Sequence, residues 1–350
     1  MSSRYAAVTR LVFANQIDDN LRMSPVANIS IHASQFPEAV RRDLLESLRT
    51  RQVNHKFHYD SVKQTQKWLA LHQACSPSRN DPDCLAVYNS AFAAAVASHD
   101  TSRAHVVGLG CGGGQKDTQL LKQLGIFGKE TIYTPCDVSP SMVLVARQTA
   151  LSVVAEENCL PFVCDLSSAE DLPAILQKHR PAEVTRLITF FGMIPNFEPG
   201  HILPKLAGLV RPHDQLLLSA NLAPGPDYSA GIQRILPQYD NELTREWLMT
   251  FLLDLGVERA DGELRFAIQE YPPGSSLKRV AALLHFTRPR RIELDGTRFE
   301  LPAGESIRLF FSYRYTPDRV RRLLGQHGFE LREQWITNSE EEGVFLCRRA

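Results

Sequence analysis

The feature that most constrains this chain is a regular alternation of short apolar runs with amphipathic stretches, which begins at Ala104. The sequence predicts strands at 104–109, 131–135, 160–163, 186–191 and 215–220. It predicts helices between them at 115–124, 140–155, 169–178 and 201–210. Strand–helix alternation of this kind is typical of an α/β fold, in which helices cover a parallel sheet.

The alternation stops after Ala220, where Pro224-Gly225-Pro226 marks a break. Two helical stretches follow, and then strand-like alternation from Glu263 to Tyr315. The chain is predicted to end with a helix at 317–327 and a hairpin of two strands, which adds an antiparallel strand to the parallel sheet. The first hundred residues are predicted to be helical, at 37–50, 59–74 and 85–98.

This order predicts three parts. Residues 1–100 form a helical cap or lid, and residues 101–222 with 314–350 form a Rossmann-like domain. Residues 223–313 form an inserted α+β domain after the fifth strand, which we expect to help bind the substrate.

Composition excludes several classes of protein. The chain has 39 Lys and Arg residues and 39 Asp and Glu residues, so its formal net charge is zero. This balance argues against extended electrostatic binding to nucleic acid or to an anionic membrane. Residues 1–15 do not have the pattern of a secretory signal, and no apolar run reaches the roughly 20 residues of a membrane span. The seven scattered cysteines include no C-x-x-C pair, which favours a cytoplasmic protein without a metal site.

The first predicted strand runs into a glycine-rich loop, Gly108-Leu109-Gly110-Cys111-Gly112-Gly113-Gly114. Glycines let the backbone approach a ligand closely and adopt positive φ, and ligands bind at such strand–helix junctions in open α/β sheets. Gly108, Gly110 and Gly113 also match the G-x-G-x-x-G pattern of dinucleotide enzymes. The loop alone therefore leaves S-adenosylmethionine (SAM) and NAD open.

Two acids follow the next two predicted strands. Asp137 is placed to accept hydrogen bonds from a ribose diol, which suits SAM and NAD equally. Asp165 is placed either to accept the amino group of adenine or to cap the helix that follows. The C-terminal hairpin favours SAM, because nicotinamide-binding sheets usually continue in parallel. The predicted fold is therefore a class I SAM-dependent methyltransferase sheet.

From Lys56 to its end the chain resembles the histidine-specific, SAM-dependent methyltransferases. Six segments carry the resemblance, with the family pattern after each: Lys56–Asp60 (K-W-F-Y-D), 109–116 (L-G-S-G-T-S-E-K), 133–138 (Y-x-P-x-D-V), 191–196 (F-L-G-S-T-I-G-N, shorter here), 238–241 (A-Y-D-D) and 303–312 (G-E-E-x-x-T-E-x-S). The resemblance implies SAM as the cofactor and a monomer that acts on a small, amino-acid-like substrate.

The resemblance also implies site residues. The expected SAM contacts are Gly108, Gly110, Cys111, Gly112, Lys116, Asp137, Asp165, Phe191 and Gly192. The expected catalytic residues Tyr59, Asn196 and Tyr239 also line the acceptor pocket, together with Phe310 and Ser312. The Asn196 amide would anchor the amino-acid part of the acceptor.

Two segments depart from the family pattern, at three positions. In the family an acidic side chain accepts a hydrogen bond from the imidazole ring of the substrate. The matching position here is Phe310, whose ring cannot accept that hydrogen bond. The family segment Y-Y-P-T-R is Cys75-Ser76-Pro77-Ser78-Arg79 here, so both tyrosines are lost. These departures argue against histidine as the acceptor and fit either a different acceptor or no acceptor at all.

The expected reaction is methylation of an α-amine, in which the enzyme mainly positions the nucleophile. Tyr59 or Tyr239 would relay the amine proton, although a tyrosine pKa near 10 would need tuning. An alternative is cyclisation of SAM itself to azetidine-2-carboxylate, with release of methylthioadenosine. Aromatic rings would then stabilise the sulfonium, and the candidates are Phe57, Phe191, Phe197 and Phe310. A non-catalytic SAM-binding protein and an NAD-dependent oxidoreductase are further alternatives.

Overall fold

The computed structural model describes residues 26–178 and 184–350. Residues 1–15, whose sequence does not predict a secretory signal, lie outside the described residues, as does the rest of the first quarter of the predicted cap. The strands are β1 (Ser30–Ile31), β2 (Arg103–Leu109), β3 (Glu130–Asp137), β4 (Phe162–Val163), β5 (Thr185–Phe190), β6 (Gln215–Asn221), β7 (Gly262–Glu270), β8 (Lys278–Phe286), β9 (Arg290–Leu294), β10 (Thr297–Leu301), β11 (Ser306–Arg314), β12 (Phe329–Ile336) and β13 (Glu342–Arg349).

The helices are α1 (Pro37–Thr50), α2 (Val62–Cys75), α3 (Pro77–Asn80), α4 (Pro82–Ala97), α5 (Gln115–Ile126), α6 (Pro140–Ala150), α7 (Leu172–Lys178), α8 (Pro199–Leu209), α9 (Tyr228–Tyr239), α10 (Glu242–Asp254) and α11 (Pro317–Gln326). The predicted helix at 140–155 is five residues too long. The helix ends at Ala150, and a turn and a short 3₁₀ helix at Glu156–Asn158 follow it.

The main sheet of the described residues has eight strands in the order β1-β4-β3-β2-β5-β6-β13-β12. The strands from β1 to β6 pair in parallel, whereas β13 runs antiparallel to both β6 and β12. The predicted α/β fold with a class I methyltransferase sheet and a C-terminal antiparallel hairpin is confirmed. The edge strand β1 was not predicted, because the first hundred residues carry an almost purely helical pattern.

Helices cover both faces of this sheet. On one face, α4 and α5 pack on the central strands through residues such as Phe92, Leu120 and Val106, all of which are fully buried. On the other face, α8 contributes Leu203 and Leu206 to a second core. Burial on both faces explains why the strands read as continuous apolar runs.

A second, antiparallel sheet of β7, β8 and β11 is formed by the part of the chain that was predicted to be an insertion. Its core includes Leu284 and Trp247 and also Leu48 and Phe57 from the N-terminal segment. Strand β11 is tied to that segment directly, since the Val53 amide donates to the Arg308 carbonyl oxygen over 2.9 Å. The three-part division of the chain stays a prediction.

Candidate functional site

A cavity of about 780 Å³ opens at the carboxyl ends of the central strands. It lies where the strand order reverses between β2 and β5, which is the usual ligand position in open α/β sheets. Its volume falls within the range typical of small-molecule sites. Residues of the N-terminal segment, the main sheet and the insertion all line it.

The cavity brings together twelve of the fourteen predicted site residues. They are Tyr59, Gly110, Cys111, Gly112, Lys116, Asp137, Asp165, Phe191, Gly192, Asn196, Tyr239 and Phe310. Gly108 and Ser312 do not line it. Gly108 instead makes room for a neighbouring side chain, because a Cβ at this position would lie 2.1 Å from Asp117 Oδ2. Ser312 is buried behind the cavity wall and accepts a hydrogen bond from Tyr239.

The glycine-rich loop is fixed to the end of β3. The amides of Gly110 and Cys111 both donate to the Cys136 carbonyl oxygen, over 2.8 and 3.0 Å. Gly110 and Gly112 have φ values of 65° and 51°, a left-handed conformation that favours glycine. This geometry keeps the loop backbone at the cavity surface.

Asp137 ends β3 beside this loop. Its carboxylate accepts hydrogen bonds from the Gly112 amide over 3.1 Å and from the Ser139 amide over 3.0 Å. Burial raises the pKa of Asp137 to about 6, although these hydrogen bonds work in the opposite direction. At neutral pH the side chain is therefore a carboxylate that can accept hydroxyl donors from the cavity.

Asp165 has one satisfied and one unsatisfied oxygen. Oδ1 accepts from the amide and the hydroxyl of Ser167, over 2.8 and 2.5 Å. Oδ2 is buried, has no hydrogen-bond donor among the described residues, and lies 3.6 Å from Lys56 Nζ. The alternative role as a helix cap is wrong, because α7 begins only at Leu172. A buried carboxylate oxygen that lacks a donor fits the amino group of adenine.

Lys116 belongs to a half-buried polar group at the start of α5. Its ammonium donates to the Tyr88 hydroxyl over 2.7 Å, stands 4.2 Å from the centre of that ring, and lies 3.8 Å from Glu342 Oε1. Tyr88 also donates a hydrogen bond to Glu342. Both Lys116 and Glu342 line the cavity, so one cation and one anion are available to a ligand here.

The residues expected to bind the acceptor are held by hydrogen bonds of their own. Asn196 Nδ2 donates to the Phe311 carbonyl oxygen over 2.9 Å, which leaves Oδ1 as the acceptor of this amide. The Tyr239 hydroxyl donates to Ser312 Oγ over 3.0 Å and accepts from Arg314 Nη2 over 2.8 Å. The Tyr239 hydroxyl is thus held in one place by two buried partners.

Tyr59 lies between two tryptophans. Its ring meets Trp68 edge-on at 6.0 Å and Trp247 at 5.5 Å between ring centres. Burial, and next the charge of Asp137, raises the pKa of Tyr59 well above its ordinary value. The hydroxyl therefore stays protonated, which disfavours the expected role of Tyr59 as a proton acceptor and leaves it as a hydrogen-bonding group.

The four aromatic candidates differ in position. Phe191, Phe197 and Phe310 line the cavity. Phe57 does not, because its ring packs in the core of the insertion, 5.6 Å from that of Phe251.

Several cavity residues were not predicted from the sequence. They are His55, Trp68, His72, Arg79, Trp247, Arg308 and Glu342. The spacing of Trp68 and His72, four residues apart in a predicted helix, could have indicated that they lie side by side. In the structure their rings stack with 4.8 Å between ring centres. Arg79 donates to His72 Nδ1 over 2.9 Å, so the arginine kept from the family segment also faces this cavity.

No group of three or more His, Cys, Asp or Glu side chains within residues 26–178 and 184–350 is arranged to hold a metal ion. In the same part of the chain, no helix is both long enough and apolar enough to cross a membrane.

Comparisons with known proteins agree with this geometry. Residues 40–349 match the family described as "Histidine-specific methyltransferase, SAM-dependent". A histidine N-alpha-methyltransferase of Mycobacterium tuberculosis (strain CDC 1551 / Oshkosh) is 26% identical over 323 residues, which cover 89% of this chain and 95% of the relative. The N-methyltransferase imqF of Aspergillus flavus is 22% identical over 284 residues, which cover 77% of this chain and 72% of the relative.

Among solved structures, the 1,6-didemethyltoxoflavin-N1-methyltransferase of Burkholderia thailandensis, with 1,6-didemethyltoxoflavin and S-adenosylhomocysteine bound, matches with a TM-score of 0.43. It is 13% identical, and the match covers 96% of this chain and 98% of that one.

Proposed function

Because this chain belongs to the histidine-specific, SAM-dependent methyltransferase family, we propose that it methylates the α-amine of a small, amino-acid-like acceptor. The chain is a SAM-dependent methyltransferase, and SAM is its cofactor. Two relatives named as N-methyltransferases support nitrogen as the methylated atom. The alternative of SAM cyclisation gains no support from them, and an NAD-dependent oxidoreductase does not fit the family.

One observation carries the proposal. A single cavity joins Asp137 and Asp165, which suit the nucleoside of SAM, to Asn196 and Tyr239, which suit an amino acid. Donor and acceptor can therefore be held side by side in one cavity, and such positioning can supply a large part of the rate enhancement for a transfer of this kind.

When bound, SAM supplies an electrophilic methyl group on a sulfonium. Asp137 would accept the ribose hydroxyls, and the unsatisfied Oδ2 of Asp165 would accept the adenine amino group. Lys116 and Glu342 carry opposite charges at the cavity wall and would pair with the carboxylate and the ammonium of its amino-acid end.

The acceptor residues hold the nucleophile. Asn196 Oδ1 would accept a hydrogen bond from the α-amine, and Tyr239, fixed by Arg314 and Ser312, would contact the acceptor beside it. An α-ammonium group has no lone pair, so it must first release one proton to solvent, because the protonated Tyr59 hydroxyl cannot take it. The oxygen of the protonated Tyr59 hydroxyl can then accept a hydrogen bond from an N–H group of the amine. This hydrogen bond would orient the nitrogen so that its lone pair is directed at the methyl group.

The test is a mass-spectrometric analysis of products. The full-length protein is incubated with SAM alone and with SAM plus a pool of amino acids. We expect S-adenosylhomocysteine and an N-methylated amino acid only in the second mixture, and neither with the Asn196→Ala variant. Methylthioadenosine formed from SAM alone would contradict the proposal. Cytoplasmic location and the monomeric state stay predictions, to be checked by fractionation and light scattering.

A further inference from the structure

One end of the cavity, which we call the basic corner, is formed by His55, Arg308, Phe310 and Phe311. Strand β11 carries three of these residues. The pairing of β11 with β8 shifts register between Arg308 and Phe310, which is a β-bulge. Bulges redirect side chains next to active sites, and here the neighbouring residues Phe310 and Phe311 both line the cavity.

His55 is a fixed hydrogen-bond donor in this corner. Its Nε2 accepts from the Phe311 amide over 3.2 Å, so in the neutral ring the proton is on Nδ1. Nδ1 has no hydrogen-bond partner among the described residues. The ring is held against Phe310, with 4.9 Å between ring centres and 16° between ring planes. Burial holds the pKa of His55 well below its ordinary value, so the ring is neutral.

Arg308 is the second donor. Its Nη2 donates to Gln52 Oε1 over 2.8 Å, whereas its Nε is buried without a hydrogen-bond partner in the described residues. Within residues 26–178 and 184–350, no Asp or Glu forms an ion pair with Arg308. A half-buried guanidinium with an unused N–H group is costly unless something accepts from it.

Glu198, the acidic side chain that interacts electrostatically with Arg308, is already paired with another arginine. Glu198 Oε1 accepts from Arg279 Nη1 over 3.0 Å, and Glu198 Oε2 accepts from the Tyr313 hydroxyl over 2.5 Å. Arg279 and Arg308 lie on the Phe311 ring, 4.7 and 4.9 Å from its centre. Two cations and one anion leave one positive charge in the basic corner without a counter-charge.

We propose that the basic corner binds a carboxylate at the end of the acceptor's side chain, so that the acceptor is an acidic amino acid. The inference rests on the proposed function, because it places a second group of the same acceptor. Arg308 Nε and His55 Nδ1 supply the two unused donors, and the rings of Phe310 and Phe311 flank the methylene groups between the carboxylate and the amine.

The departure from the family pattern fits this assignment. By the resemblance described above, the acid that binds an imidazole ring in the family falls on Phe310 here. An acid at this position would repel a substrate carboxylate, and it would also neutralise Arg308. Replacement by phenylalanine removes that repulsion and leaves a ring that orients His55.

The test compares acid and amide pairs of equal shape. Initial rates are measured for glutamate against glutamine and for aspartate against asparagine, with histidine included. We expect one acid to have a kcat/KM at least about tenfold above that of its amide, because hydrogen bonds to a charged carboxylate are stronger than those to a neutral amide. Arg308→Gln should reduce this acid-to-amide ratio about tenfold or more, and His55→Phe should reduce it by a smaller factor.

The control variant is Arg291→Gln. Arg291 is an exposed arginine on β9 that pairs with Glu300, and its removal should leave the ratio unchanged. Arg308→Lys retains a charge and should keep part of the preference, which protects the test if Arg308→Gln folds poorly.

The outcomes separate the two proposals. If neutral amino acids are methylated as well as acidic ones, or if Arg308→Gln lowers the rates for acid and amide equally, the basic corner is not a carboxylate site, and the proposed function stands. If S-adenosylhomocysteine binds in a calorimeter but no amino acid of any charge is methylated, the proposed function itself is overturned.

Discussion

The ammonium nitrogen of Lys56 lies 3.6 Å from Asp165 Oδ2, and the same nitrogen donates to Asp43 Oδ2 over 2.6 Å. All three side chains are mostly buried, and Lys56 is only 4% exposed. This contact ties the N-terminal segment to the carboxylate that we assign to adenine. Lys56 begins the K-F-H-Y-D segment. One short motif therefore stabilises the packing of the N-terminal segment, through Lys56, and lines the cavity, through Tyr59.

Lys56→Met should therefore destabilise the protein. It leaves Asp43 and Asp165 without their cation, and breaking a buried pair costs about 3 kcal/mol or more of the free energy of unfolding. Urea denaturation measures the change. The matched control is Lys63→Met, which breaks an exposed pair with Asp254 and should cost less than about 1 kcal/mol. Equal effects of the two substitutions would show that burial of Lys56 does not matter.

Asp165→Asn should weaken the binding of S-adenosylhomocysteine about tenfold, because it replaces a charge-assisted acceptor that is worth roughly 1.5 kcal/mol or more. Isothermal titration calorimetry measures the affinity. Asp171→Asn is the control, since Asp171 is exposed and pairs with His32. If the Asp165→Asn variant binds S-adenosylhomocysteine with unchanged affinity, Asp165 does not contact the adenine.

The sheet and the nucleoside half of the site were predictable from the sequence for a simple reason. Gly110, Asp137 and Asp165 each lie at or just after the end of a parallel strand of the main sheet, and the carboxyl ends of parallel strands meet at one edge. Local apolar patterns locate such strands, and therefore also the residues that follow them.

The basic corner and the Lys116 group could not be predicted in this way. The contact between His55 and Phe310 joins residues 255 apart, and it exists only because the insertion packs on the N-terminal segment. The ion pair of Lys116 with Glu342 depends on β13 entering the sheet beside β6. Periodicity describes one segment at a time and carries no information about such packing.

Gly108→Ala tests the corrected role of this glycine. The added Cβ would lie 2.1 Å from Asp117 Oδ2, and Asp117 is held by hydrogen bonds from Tyr133 over 2.8 Å and Thr189 over 2.7 Å. Overpacking of this kind costs about 1–3 kcal/mol, which thermal denaturation would detect. Gly125→Ala is the control, because nothing lies within 4 Å of a Cβ there. A fully stable Gly108→Ala variant with weak SAM binding would restore the original prediction of a direct cofactor contact.

The affinity for S-adenosylhomocysteine should fall as the pH drops through about 6, because burial raises the pKa of Asp137 to about 6 and only its carboxylate can accept from both ribose hydroxyls. Stability changes in the opposite direction. A folded-state pKa above the unfolded value means that the folded protein binds the proton more readily, so this group's contribution to stability is lost as the pH rises from about 4 to about 6.

Calorimetric titrations of the protein with S-adenosylhomocysteine, at about pH 5 to pH 8, measure how the affinity depends on pH. Asp137→Asn should bind more weakly at neutral pH and should lose most of this pH dependence. A variant that keeps the full dependence would assign it to another group. Asp117 is the alternative to consider, because burial also raises its pKa to about 6.

Tyr59→Phe should separate catalysis from folding. The substitution keeps the ring contacts with Trp68 and Trp247 and removes only the hydroxyl, which lies at the cavity and stays protonated because burial raises its pKa. If that hydroxyl orients the amine, kcat should fall about tenfold, the equivalent of roughly 1.4 kcal/mol in the barrier, while the midpoint of thermal unfolding stays nearly constant.

Tyr228→Phe provides the comparison for this prediction. The Tyr228 hydroxyl donates to the Arg314 carbonyl oxygen over 2.7 Å and accepts from the Lys278 amide over 2.9 Å, and Tyr228 does not line the cavity. Its loss should lower the free energy of unfolding by about 1 kcal/mol and change kcat less than Tyr59→Phe does. If Tyr59→Phe instead loses stability and activity in the same proportion, the Tyr59 hydroxyl supports the fold and does not position the amine.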